Sequence, residues 1–181
     1  GWNRPIYFAC TVPNSYHLGL TPYLQQTGMA YQVTPVLAGV EAMMGQRADH
    51  GVNVEKMYDV VMNKYLWGGL DQGKDLYLDE TVRRMVSTTR NTMIGLAEEL
   101  LLMGRADTTN AQEYYTKARN VLNLMEKKLP ETVMLYDSYT DINIGELYLH
   151  LYEATGNKAD LERAKALADA ALNRYSKFIP Y

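Results

Sequence analysis

From Asp79 to Gly104 apolar positions return every three or four residues: Val82, Met85, Val86, Met93, Leu96, Leu100 and Met103, with Thr89 in the same row. That spacing marks one stripe of a long amphipathic helix. Six or seven large side chains, each worth about 1.5–3 kcal/mol when buried, demand an equally apolar partner surface. Gly104 is expected to close the helix. The next segment supplies the partner. Thr109-Asn110-Ala111-Gln112 reads as a capping box, and Tyr114, Tyr115, Ala118, Leu122, Met125 and Leu129 follow it before Pro130.

A second pair comes after. Ile144, Leu147, Tyr148, Leu151 and Tyr152 line one face up to Gly156, and Leu161, Ala164, Ala168, Ala171, Leu172 and Tyr175 line another. Ala118, Leu122 and Met125 correspond at one constant offset to Ala164, Ala168 and Ala171. Small residues there let neighbouring helices approach closely, as in stacked tetratricopeptide hairpins, although the repeat departs from that family's period of about 34 residues.

The N-terminal third reads differently. Ile6 to Val12 is β-prone and lies between Pro5 and Pro13. Thr21-Pro22 looks like a cap and first helical position opening a short helix through Tyr23-Leu24-Gln25-Gln26, ended by Gly28. Ala30–Val33 is a second short strand. Residues 36–52, with Gly39, Gly45, Gly51 and Met43-Met44, read as a loop with at most a helical turn. Val54, Met57, Tyr58, Val61 and Tyr65 recur at helical spacing, and Trp67-Gly68-Gly69-Leu70 opens a loop through Lys74. The expected fold is therefore mainly α: stacked antiparallel helical hairpins of tetratricopeptide-like character, with a small N-terminal β/irregular segment. Residues 1–52 form that segment and 53–181 the helical domain.

Composition excludes several function classes. A chain of 181 residues with 47% hydrophobic and 22% charged residues is globular, and a net charge of −3 with scattered Lys and Arg does not suit nucleic acid. No apolar run reaches the ~18–20 residues needed to cross a bilayer, and no signal peptide is visible. The abrupt start at Gly1-Trp2-Asn3 and the apolar end at Phe178-Ile179-Pro180-Tyr181 suggest a piece of a longer chain. Cys10 is the only cysteine, so no intrachain disulfide or cysteine-built zinc site forms, and it reads as a small hydrophobe in a strand.

No reaction centre is legible. His17, His50 and His150 are far apart and lack metal-ligand spacing. The glycines of residues 67–73 lack the lysine of a phosphate loop and read as a turn. Asp79-Glu80 suits the positive end of a helix dipole, and Glu98-Glu99 the polar side of that helix, rather than a catalytic carboxylate pair. No catalytic, cofactor-binding or metal-binding residue is assigned. Fifteen tyrosines stand against two phenylalanines. Tyr114, Tyr115, Tyr148 and Tyr152 fall on facing helices and are the candidate partner-binding residues for peptide or glycan.

Several stretches resemble one family. Asn3-Arg4-Pro5-Ile6-Tyr7-Phe8-Ala9, Gly19-Leu20, Tyr23-Leu24, Gly28-Met29-Ala30-Tyr31 and Val33-Thr34-Pro35 are similar to the C-terminal soluble region of bacterial protein O-mannosyltransferase-like multi-pass membrane proteins. So are Lys64-Tyr65-Leu66-Trp67-Gly68-Gly69-Leu70 and Tyr77-Leu78-Asp79-Glu80-Thr81. The resemblance spans roughly residues 2–105. It implies a parent chain with upstream membrane spans and a periplasmic tail, related to glycosyltransferases that use lipid-linked sugars. The catalytic acid of such enzymes lies in a loop between early spans, which no position here matches. The run at 6–12 would then be the remnant of a small α/β subdomain whose other strands lie upstream. The expected role is a non-catalytic periplasmic accessory domain that docks acceptor protein or glycoprotein, or assembly partners. A general protein–protein interaction module and an independent glycan-acting enzyme are the alternatives.

Overall fold

The computed structural model describes residues 4–37, 51–72 and 76–176. The chain divides into two units, Gly1–Tyr65 and Leu66–Tyr181. Gly39, Met43-Met44, Gly45, His50, Gly73, Lys74 and the two chain ends discussed above lie outside the described residues.

In the first unit Tyr7–Ala9 (β1), Leu24–Gln26 (β2), Ala30–Val33 (β3) and Gly51–Val52 (β4) form one sheet in the order β1-β3-β2-β4. β3 pairs antiparallel with β1 and β2, and β4 pairs parallel with β2. This corrects four expectations. β1 has its partner within this chain, at Tyr7↔Gln32, Phe8↔Tyr31 and Ala9↔Ala30, so no upstream strand is needed. β1 is also shorter than residues 6–12, because the Val12 N–H turns back to the Ala9 carbonyl at 3.0 Å. Thr21–Tyr23 makes only a single 3₁₀ turn, and Leu24 is already extended. One isolated turn cannot nucleate a helix, whereas pairing with β3 satisfies the backbone and seats the fully buried Leu24 opposite Val33. Fourth, Gly51–Val52 is a strand rather than loop. Gly28 allows the β2–β3 turn, since its φ of +113° suits glycine and a Cβ there would come within 3.0 Å of the Tyr65 hydroxyl.

Helix α1 (Val54–Asn63) follows β4 and is capped by Asn53, whose Oδ1 accepts from the Lys56 N–H at 3.0 Å. Met57 and Val61 are its buried positions. Across the sheet, Tyr7, Gln32 and Gln25 share one polar row. Lys56 Nζ donates to Gln32 Oε1 at 2.6 Å and to the Tyr7 hydroxyl at 3.1 Å, and Asn53 Nδ2 donates to Gln25 Oε1 at 3.2 Å.

The second unit is built from α2 (Glu80–Ala106), α3 (Ala111–Lys128), α4 (Ser138–Thr155) and α5 (Lys158–Tyr175). α2 pairs with α3 and α4 with α5 as two antiparallel hairpins, and α4 packs against both helices of the first pair. The protein is thus mainly α with a small N-terminal sheet, as the periodicity requires. Asp79, Asp137 and Asn157 cap α2, α4 and α5 through side-chain oxygens, and Gly156 ends α4 at φ +70°. The core holds Val86, Met93, Leu96 and Leu100 of α2 against Ala118, Leu122 and Met125 of α3, and Ile144, Leu147 and Leu151 of α4.

Four details differ from the sequence pattern. Val82 and Met85 are exposed, because the α2 stripe starts a turn ahead of its buried stretch, which begins at Val86. Gly104 does not end α2; it lies inside the helix beneath the Tyr115 ring, with a built Cβ only 2.5 Å from Cε1. The Thr109 capping box is absent. Asp107 instead accepts from the N–H groups of Thr109 and Asn110, at 3.0 and 3.3 Å. Finally, Ala164 is buried like its counterpart Ala118, but Ala168 is exposed where its counterpart Leu122 is buried, and Leu172, expected on the inner face, is exposed too.

Candidate functional site

The second hairpin is joined to the first by a polar seam. Arg119 of α3 grips Asp160 of α5 with Nε at 2.9 Å and Nη2 at 2.6 Å, and its Nη2 also donates to Thr155 Oγ1 at 3.2 Å. Two turns on, Glu126 accepts from Arg163 Nε and Nη2 at 2.9 and 2.5 Å. Arg174 bonds Asp141 Oδ2 at 2.5 Å and the Tyr136 carbonyl at 3.0 Å, and pairs with Glu131. Arg90, almost fully buried in α2, aims its guanidinium at the carbonyls of Leu129, Pro130 and Met134 (2.9, 3.2 and 2.7 Å) and stacks 4.5 Å from the Tyr136 ring centre. A planar fork suits such convergent carbonyls. Paired and hydrogen-bonded charges of this kind fix geometry more than they add stability.

The tyrosine quartet divides around this seam. Tyr115 is buried with its ring against Gly104, and Tyr148 is buried with its hydroxyl 3.0 Å from Asn123 Oδ1 and 3.2 Å from Glu126 Oε2. Burial, and then the Glu126 carboxylate, push the Tyr148 phenol well above its ordinary range. Tyr114, with Lys117 Nζ 5.8 Å from its ring centre, and Tyr152 are half-buried. Only the latter two reach a surface.

The most exposed apolar row on a long helix lies elsewhere. On α4, Tyr139, Ile142 and Leu149 are 61%, 58% and 39% exposed, on the side away from the buried Ile144, Leu147 and Leu151. Periodicity reading misses this row because the buried stripe alone accounts for the helix. The signal that could have found it is the surplus: α4 carries more apolar residues than one stripe needs.

The residues weighed for chemistry are dispersed. His17 is buried between Phe8 (5.1 Å) and Tyr31 (5.9 Å), and neither ring nitrogen has a hydrogen-bond partner among the described residues. His150 Nδ1 is 3.1 Å from Glu153 Oε2, and His50 is outside the described residues. Cys10 sits one residue past β1, half-buried, with burial pushing its thiol up. Asp79 caps α2 and Glu80 pairs with Arg84. Gly68 and Gly69, both at positive φ, make a turn closed by the Leu70 N–H on the Trp67 carbonyl. Among the described residues no three His, Cys, Asp or Glu side chains are grouped to hold a metal ion, and no helix is long and apolar enough to cross a membrane.

Residues 1–55 match the family model described as TMEM260-associated domain 2. The match covers all four strands and the capped start of α1. It includes the Asn3–Ala9 motif and the stretches through Pro35 that carry the family resemblance, and it stops ahead of Lys64–Leu70 and Tyr77–Thr81. No curated protein and no solved structure matches the chain.

Proposed function

We propose that this chain is an accessory region of a membrane protein related to glycosyltransferases, that it faces the periplasm, and that its helical unit docks acceptor protein or an assembly partner without performing sugar transfer itself. The observation that carries the reading is the match of residues 1–55 to TMEM260-associated domain 2, taken with the resemblance of Asn3–Ala9 and the stretches through Pro35 to O-mannosyltransferase-like membrane proteins. The helical unit adds an exposed apolar row, a surface suited to protein contact. The tetratricopeptide-like pattern of its hairpins supports the same role.

The test is removal of residues 66–181 from the full-length protein, followed by assay of sugar transfer. Transfer to protein acceptors falls while the membrane part still accumulates. Unchanged transfer to every acceptor refutes the docking role. A second reading, a general protein–protein interaction module, is favoured by one fact: the family match ends before the helical unit begins. Cross-linking from Ile142 in cells separates the two, because adducts only with proteins that receive no sugar support the general module.

A further inference from the structure

An exposed helix face is normally polar. α3 obeys this: its outward residues Gln112, Glu113, Thr116, Asn120, Asn123 and Lys127 are all hydrophilic. α4 does not. Ile142 and Leu149 stand seven residues apart, hence on one line about 10 Å long, with Tyr139 about 60° around the helix from Ile142. Between that line and Tyr139, Glu146 and Glu153 form a second line with the same seven-residue spacing. α4 contains no Lys or Arg in its eighteen residues, and its one histidine, His150, is engaged with Glu153. The face is therefore apolar along one line and negative along the next.

We infer that this α4 face binds a basic amphipathic helix of a partner protein, seating its apolar residues on Tyr139, Ile142 and Leu149 and its Lys or Arg residues on Glu146 and Glu153. The inference rests on the docking role proposed above and names the chemistry of what is docked. Sign decides among occupants. A second copy meeting this face would bring the Glu146 and Glu153 lines together, and like charges in contact oppose association. An anionic lipid surface would meet the same repulsion and needs Lys or Arg that α4 lacks. A cationic helix with apolar residues at i, i+3 or i+4, and i+7 complements both lines at once.

The test uses the 181-residue chain and two labelled peptides of about 15 residues. They share one amphipathic leucine pattern, with Lys at the polar positions in one and Glu in the other, and binding is read by fluorescence anisotropy. The chain binds the Leu/Lys peptide at least about tenfold more tightly than the Leu/Glu peptide. Glu146→Lys/Glu153→Lys removes or inverts that preference, and Ile142→Ser/Leu149→Ser weakens Leu/Lys binding by about tenfold. Glu162→Lys/Asp169→Lys, the same change in net charge on the exposed side of α5, leaves binding intact. All these positions are surface-exposed, and helical circular dichroism verifies that each variant folds. Equal binding of both peptides, no binding of either, or equal loss from the α5 variant overturns the inference; so does self-association through α4 in sedimentation. A negative peptide result alongside lost transfer in the deletion overturns this inference alone and leaves the docking role standing.

Discussion

Gly104→Ala tests how the first helical hairpin is packed. In most helix interiors this change stabilises by about 0.5–1 kcal/mol, because alanine is the better helix former. Here the new Cβ would lie 2.5 Å from Tyr115 Cε1, 2.9 Å from Cδ1 and 3.0 Å from Cζ, where ordinary contact begins at 3.4 Å. The ring must retreat by roughly 1 Å, and Tyr115 is a buried ring that cannot swing into water. Overpacking of this kind costs about 1–3 kcal/mol. The net expectation is a loss of about 1–2 kcal/mol, or a fall of several degrees in Tm at about 2–4 °C per kcal/mol for a chain of this size. Urea unfolding followed by circular dichroism reads it. The decisive comparison is the same substitution in a Tyr115→Leu background, where the ring is gone and Gly104→Ala becomes neutral or stabilising. A glycine needed for a left-handed helix end would instead show the same loss in both backgrounds. That outcome, or a gain in the otherwise unaltered protein, refutes the packing assigned to Gly104.

Arg90→Ala leaves the carbonyls of Leu129, Pro130 and Met134 facing a void and is expected to cost about 3–5 kcal/mol in chemical unfolding, and Arg90→Lys recovers little of it because an ammonium lacks the planar fork. Tyr136 and Tyr65 have phenol pKa values pushed up to about 12, chiefly by burial. Their folded values lie above the unfolded value near 10, so their contribution to stability is whole below pH 10 and is lost as pH rises through 12. A spectrophotometric titration should show Tyr65, Tyr136 and Tyr148 ionising late, only as the fold opens. Tyr136→Phe and Tyr65→Phe each remove a late-titrating group.

The helices were legible because 3.6-residue periodicity is a local property: α1, α2, α3, α4 and α5 all lie where apolar spacing puts them. What escaped depends on distant partners. Tyr23–Gln26 carries a respectable helix start, yet β3 offers Leu24 a buried place opposite Val33, and pairing overrides the local signal. Gly51–Val52 is too short to announce itself without β2 beside it. Gly104 has the position of a helix terminator, and only the Tyr115 ring reveals that the space is needed instead. Arg90 reads as an ordinary surface cation until the chain after α3 folds its carbonyls around it. Of the candidate contact residues, Tyr114 and Tyr152 reach a surface, while Tyr115 and Tyr148 serve the interior. Spacing alone cannot say which side of a helix a neighbour will cover, and for the same reason the outer row of α4 went unread.

The order of charges along α3 and α5 also restricts how the two hairpins can come together. α3 offers a cation and then an anion, Arg119 and Glu126, and α5 answers with an anion and then a cation, Asp160 and Arg163. If α5 slid one turn so that Arg163 took the place of Asp160, two guanidinium groups would collide. A slide the other way would set Asp160 against Glu126. Apolar helices tolerate such slippage, but this joint is keyed, and a misaligned hairpin is driven apart until it finds its single register.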